Sequence, residues 1–228
     1  MPLPARLDSL VFDLDGTLTD SRDGILGCLE TALRAYSIPW QGPLEWFIGP
    51  PASQSFARLL PDSTDSHRNN VLQHYRRCYR ERGWKENAVY PGIRELLTTL
   101  HGSGAKLYLC TSKRDEFMRR ILDHFQLTPF FSGVVADKGE SEHHDKADLL
   151  RELIAAHAID PAHAVMIGDR LFDVQAARTV GVASIAVLYG FGSAVELQDA
   201  RPDALTTSVA ELGATLLPRV GASSQSRI

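Results

Sequence analysis

Short apolar runs alternate along much of this chain with longer stretches in which apolar residues recur at helical spacing. Leu10-Val11-Phe12, Lys106–Cys110, Gly133–Ala136, Ala164–Ile167 and Ala183–Leu188 are the runs, with a weaker one at Pro202–Thr206. Their length and their enrichment in Val, Ile and Leu predict buried strands. Between them, Ile93, Leu96, Leu97 and Leu100 follow Pro91 at a helical repeat, and Gly102 and Gly104 close that helix. Further helices are predicted from about Lys113 to Phe125, over Lys146–His157, over Phe172–Val180, near residues 194–199 and over 208–216. Strands separated by helices imply an α/β fold, a parallel sheet with helices on both faces.

The stretch from residue 20 to 86 has a different texture. Ile25, Leu29, Ala32, Leu33 and Tyr36 mark a helix over Arg22–Tyr36, and Ala52–Leu60 and Thr64–Arg82 read the same way. Pro39, Gly42, Pro43 and Gly49-Pro50-Pro51 break it into pieces, and nothing in it has a strand pattern. The expected organisation is therefore a core of residues 1–19 and 87–228, with an all-helical insertion over 20–86.

Composition sets outer bounds. A chain of 228 residues, 44% hydrophobic and 23% charged, can hold one large domain or a core plus an insertion, and can bury a substantial core. A net charge of −4 argues against a nucleic-acid surface but leaves room for a small anion at helix N-termini and local cations. Cys28, Cys78 and Cys110 are widely spaced and odd in number, which suggests free thiols in a reducing compartment and neither a zinc site nor a disulfide framework. The opening residues show no secretory apolar stretch and no run reaches membrane-spanning length, so the expectation is a cytoplasmic protein without membrane contact. The polar last dozen residues are expected to fray.

Chemistry concentrates where apolar runs end. The first run stops at Asp13 and Asp15, with Gly16 immediately after. Two carboxylates two residues apart on an extended segment project to one side, and their repulsion calls for a cation or a shared proton. A calcium loop fails, because its later ligand positions hold Thr17, Leu18 and Gly24. The second strand ends Cys110-Thr111-Ser112-Lys113 and another ends Gly168-Asp169-Arg170, with Asp173 one helical turn on. Lys146 opens a helix. Singly, Thr111 and Ser112 also suit a helix cap, Lys146 a solvated surface, and Asp173 a first-turn acid. Together, acids, hydroxyls and a lysine at converging strand ends suit phosphoryl transfer, with Mg²⁺ held by oxygens.

In order and spacing, DLDGTLTDS, the Thr111 strand end, Lys146 and GDRLFD resemble the four motifs of the haloacid-dehalogenase-like hydrolases. The resemblance covers nearly the whole chain and implies a Rossmann-like core with an α-helical cap inserted after the first motif. It implies Asp13 as nucleophile, forming an aspartyl-phosphate, and Asp15 as general acid and base. It implies Thr111 and Lys146 as phosphate ligands, beside the Ser112 hydroxyl at the same strand end, and Mg²⁺ held by Asp13, Asp169 and the Asp15 main-chain carbonyl, with Asp173 in support. Retention of Asp15 places the chain with phosphatase-type members rather than dehalogenases. The texture is similar to phosphoglycolate phosphatases, while FIGPP and IAVLYGFGS resemble relatives known as 5′-nucleotidases. Ser112 and Ala147 depart from the usual phosphoglycolate-phosphatase residues. The implied activity is hydrolysis of a small phosphomonoester by a monomer or homodimer. A nucleotidase, a sugar phosphomutase and a non-enzymatic regulatory role are the alternatives.

Substrate choice is expected to come from the helical insertion, near Arg22, Trp46 and Gly49. Arg22 can pair with a substrate carboxylate. Trp46 can stack on a base or pack in the insertion's core, and the Gly49 turn can border a cleft or merely connect helices.

Overall fold

Eight strands and nine α-helices are present among residues 2–139 and 145–221, the part of the chain described by the computed structural model. In chain order they are β1 (Ser9–Phe12), β2 (Thr19–Asp20), α1 (Arg22–Ala35), α2 (Ala52–Leu59), α3 (Asp65–Cys78), β3 (Ala88–Val89), α4 (Ile93–Gly102) and β4 (Lys106–Arg114). There follow α5 (Asp115–His124), β5 (Phe131–Asp137), α6 (Lys146–His157), β6 (Ala164–Gly168), α7 (Leu171–Val180), β7 (Ala183–Val187), α8 (Ala194–Ala200), β8 (Ala204–Thr206) and α9 (Val209–Leu216). The expected fraying of the last residues falls on 222–228, outside the described residues.

Six strands form one parallel sheet in the order β5-β4-β1-β6-β7-β8. β1 lies at its centre, with Ser9 in register with Lys106 on one side and Ala164 on the other. Alternation along the strand feeds two separate cores. Leu10 and Phe12 join Leu97, Met118, Ile121 and Leu212, whereas Val11 joins Leu149, Leu150 and Leu153. Helices α4, α5 and α9 therefore cover one face and α6 and α7 the other, which explains why the central part of each strand is apolar on both faces.

A third cluster lies in the helices between residues 22 and 83. Leu29, Leu33, Phe47, Phe56, Leu72 and Tyr75 pack there, and Phe117 and Phe191 of the sheet layers reach into it. Phe47 and Phe56 meet edge to face at 5.2 Å. β2 and β3 pair antiparallel at the base of this helical layer, a short two-residue ribbon that apolar periodicity cannot reveal.

Three local differences from the sequence pattern have physical causes. β4 runs on to Arg114, so the next helix starts at Asp115 and not Lys113. Pairing with β5, as Thr111 to Ala136 and Arg114 to Asp137, keeps the polar end of β4 extended. The helix predicted to Arg82 is α-helical to Cys78 and continues as a π-helical turn over Tyr79–Gly83. The expectation of three free thiols is also corrected. Cys28 of α1 and Cys78 of α3 form a disulfide across 50 residues, and Cys110 alone is free, buried in the sheet. Helix packing brings the two sulfurs together, and spacing along the chain carries no trace of it.

Candidate active site

The first two acids emerge from β1 on a turn built by backbone hydrogen bonds. Asp13 is pinned because its N–H donates to the Ile167 carbonyl of β6 at 2.9 Å. The Leu14 carbonyl then accepts from Leu18 and Thr19 at 2.9 and 3.0 Å, and Gly16 N–H donates to Thr19 at 2.7 Å. Gly16 has φ +81°, and a Cβ there would overlap the Asp169 carboxylate. The turn needs glycine both for conformation and for room.

Parallel strands ending side by side bring the later acids to Asp13. One carboxylate oxygen from each of Asp13, Asp169 and Asp173 lies within 4.8 Å of the others, and all three residues are buried. Lys146, the first residue of α6, reaches in with its Nζ 2.9 Å from Asp13 Oδ2 and 2.5 Å from Asp173 Oδ1. Asp173 Oδ2 accepts from Arg170 N–H at 3.0 Å, and Asp169 Oδ2 accepts from Phe191 N–H at 2.7 Å. Asp13 Oδ1 and Asp169 Oδ1 are buried with no hydrogen-bond partner.

Burial pushes the Asp13 carboxyl up to about 6; Lys146 opposes this and Asp173 adds to it. Burial also raises Asp169, helped by the charges of Asp173 and Asp13. Burial works against the Lys146 ammonium, but Asp13 and Asp173 outweigh it and hold that group above the ordinary lysine range.

Asp15 does not share this cluster with its side chain. It turns to Lys113 at the end of β4, whose Nζ lies 2.7 Å from Asp15 Oδ2 and 4.9 Å from the centroid of the Tyr79 ring. Each acid of the opening pair thus has its own lysine, which relieves the repulsion read from the sequence. Thr111 is buried beside them, and its Oγ1 accepts from Lys113 N–H at 3.3 Å. Ser112 is half-buried and lines the adjoining cavity.

Four carboxylates, Asp13, Asp15, Asp169 and Asp173, face two lysines. Two negative charges remain uncompensated, and three buried oxygens, Oδ1 of Asp13, Asp15 and Asp169, have no hydrogen-bond partner. An all-oxygen set with that deficit fits a hard divalent cation. The side-chain set is Asp13, Asp169 and Asp173, so the residue expected only to support the metal stands among the acids able to hold it.

The helical layer closes over this corner. Phe47, Gly49 and Tyr79 line a cavity together with Asp15, Ser112 and Lys113. Arg170, at the N-terminus of α7, secures the roof. Its guanidinium pairs with both oxygens of Glu196 at 2.8 and 3.3 Å and also donates to the Ile48 carbonyl oxygen. Gly49 packs on the Arg170 side chain with φ +114°, a conformation that disfavours any side chain.

Two residues expected to select substrate lie outside the cavity lining. Arg22 stands over the Phe191 ring at 5.5 Å, and Trp46 packs beside Phe47 under the Arg58 guanidinium at 4.2 Å. Lys113 and Arg170 were not singled out from the sequence. The available signal was adjacency, because each directly follows a polar strand end already suspected.

The profile of the haloacid dehalogenase-like hydrolases matches residues 10–187. A 5′-nucleotidase of Pseudomonas aeruginosa is 38% identical over 209 residues, 91% of this chain and 94% of that one. A phosphoglycolate phosphatase of Vibrio vulnificus is 29% identical over 213 residues, covering 89% and 93%. The tyrosine-protein kinase PtkA of Mycobacterium tuberculosis is 35% identical over 188 residues, 81% of this chain and 63% of that protein. Among solved structures, "a predicted phosphatase" from Clostridium acetobutylicum superposes with a TM-score of 0.87 at 35% identity, covering 93% of this chain and 99% of that one.

Proposed function

The chain belongs to the haloacid dehalogenase-like hydrolases and is a phosphatase of that family, and we propose that it hydrolyses a small phosphomonoester through a phosphorylated Asp13 with the help of Mg²⁺. One observation carries the reading. Asp13 Oδ1 is buried and unpartnered while Oδ2 is held by Lys146, so one oxygen is positioned by a cation and the other is free to attack. A carboxylate is a weak nucleophile that becomes effective when positioned and when its target's charge is neutralised.

The geometry supports the following assignment of roles. Asp13 Oδ1 bonds to phosphorus as the leaving oxygen departs, and Asp15 delivers a proton to that oxygen. Asp15 then takes a proton from water as it attacks the phosphoryl group, which breaks the Asp13–phosphorus bond. Lys113 orients Asp15 through their 2.7 Å contact. Thr111, Ser112 and Lys146 bind the phosphoryl oxygens. Asp13, Asp169 and Asp173 are the side chains suited to holding Mg²⁺, with the Asp15 main-chain carbonyl a further candidate. When bound, the ion neutralises charge spread over the transferring oxygens. The helices between residues 22 and 83 act as a cap that keeps bulk water from the site, which favours small substrates.

The names of the relatives offer phosphoglycolate and nucleoside monophosphates as the first substrates to try. The test is turnover of a phosphomonoester panel with Mg²⁺, with acid-quench trapping of labelled phosphate on protein. Mg²⁺-dependent release of phosphate with label on Asp13 is expected. Label on any other residue, or turnover that survives exhaustive chelation, overturns the mechanism. Return of label to a sugar phosphate would instead identify a mutase.

A further inference from the structure

The cavity beside Asp15 holds more positive charge than the chemistry at Asp13 uses. Its lining includes Lys113, Arg76 and Arg114 as cations against Asp15 and Asp137 as acids. Lys113 is already committed to Asp15. Arg76 comes from α3 of the helical layer and Arg114 from the end of β4, one residue beyond Lys113. Both are half-buried, and neither makes an ion pair or a side-chain hydrogen bond among the described residues.

A half-buried arginine normally meets a carboxylate, because its charge is costly to desolvate alone. Here the nearest acid in the strand register, Asp137, accepts from Gly139 N–H at 2.8 Å and forms no ion pair with either guanidinium. The two arginines also repel each other. Burial lowers Arg76, and the charge of Arg114 is the next contribution. An anion placed between them relieves that repulsion and receives two planar donor forks, the geometry that suits carboxylate and phosphate oxygens. Phe47, Tyr75, Tyr79 and Phe117 supply an aromatic part of the wall, which strengthens such contacts by excluding water.

We infer that Arg76 and Arg114 form an anion subsite, so that the preferred substrate is a phosphomonoester whose leaving group carries a second anionic group, a carboxylate or a further phosphate. This rests on the phosphatase reading and sharpens it. It also moves specificity away from Arg22, which stacks on Phe191 outside the cavity. One arginine lies on the helical layer and the other on the sheet, so the subsite is complete only when the two layers meet.

The experiment compares matched substrates: phosphoglycolate against ethyl phosphate, and fructose 1,6-bisphosphate against fructose 1-phosphate. In the full-length protein with Mg²⁺, the anionic member of at least one pair is expected to exceed its partner by tenfold or more in kcat/KM, mainly through KM. Preference in the first pair identifies a carboxylate as the second anion, and in the second pair a phosphate. Arg76→Gln and Arg114→Gln should each lower that ratio at least tenfold, while Arg58→Gln, on Trp46 outside the cavity, keeps it. A ratio near one for both pairs, or one that survives in either arginine variant, overturns the subsite. If no phosphomonoester is turned over, the phosphatase reading fails on its own. Calorimetric binding of the same pairs to Asp13→Asn then decides the subsite, and equal affinity within both pairs overturns it.

Discussion

The Arg170 guanidinium donates to the carbonyl oxygen of Ile48, joining a strand end of the sheet to a turn of the helical layer 122 residues away. Glu196 holds the same guanidinium with both oxygens and also accepts from Leu171 N–H at 3.0 Å. Arg170 is thereby a positioning residue: it touches no reacting group, but it sets where the Gly49 turn sits over the cavity.

Arg170→Met leaves Glu196 partly buried without its counter-charge and the Ile48 carbonyl without its donor. Removing one partner of such a pair costs about 3 kcal/mol. The denaturant midpoint should fall accordingly, and KM should rise more than kcat falls because the cavity roof is displaced. Arg170→Met with Glu196→Gln should cost less than the two single changes added together. Strict additivity would show that the pair does not act as one unit.

Asp13→Asn removes the proposed nucleophile and a buried negative charge at once. Turnover is expected to drop by at least about 10³-fold, with no loss in thermal midpoint, since burial already disfavours the ionised Asp13 carboxyl. Lys146 keeps Asp173 as its partner. Full activity, with deamidation excluded by mass spectrometry, would remove Asp13 from the mechanism.

Gly16→Ala inserts a Cβ into the Asp169 carboxylate at a residue with φ +81°. The backbone term alone is about 1–2 kcal/mol, and displacement of Asp169 should weaken Mg²⁺ as well. The expected signature is a lower midpoint together with a higher Mg²⁺ concentration for half-maximal activity. An unchanged Mg²⁺ requirement would separate Asp169 from the metal.

The acid cluster also predicts how stability follows pH. Asp13 is raised from 3.8 to about 6, and Asp169 is raised by burial as well. In that window the metal-free folded chain keeps a proton that the unfolded chain releases, so its stability falls as pH rises from about 4 to about 6. Mg²⁺ binds the deprotonated carboxylates and competes with those protons. Thermal unfolding with and without Mg²⁺ should therefore show a much larger stabilisation at pH 8 than at pH 5. An equal shift at both pH values would mean that the ion binds elsewhere.

Much of the sheet is legible in the sequence, because local signals determine it. A buried parallel strand must be apolar on both faces, so Leu10-Val11-Phe12 and Ala164–Ile167 declare themselves. Ligand groups in such a sheet sit where those runs stop, so Asp13, Thr111 and Asp169 could be picked out as neighbours. Lys146 opens a helix instead of ending a strand, and its role was legible mainly through the resemblance to the family's motifs.

What the linear pattern lacks is the distance between elements. Lys113 meeting Asp15, Arg170 meeting Ile48 and Cys28 meeting Cys78 each depend on how the helical layer rests on itself or on the sheet. The same is true of Arg76 and Arg114, which become a pair only when α3 lies against the end of β4. Arg22 and Trp46 had suitable chemistry, and the fold sets them against Phe191 and Arg58, outside the cavity lining. Composition and spacing along this chain determined which groups are available for catalysis. Tertiary packing decided which charges are neutralised by a neighbour and which are left to meet a ligand, because a Coulomb interaction depends on separation in space and not along the sequence.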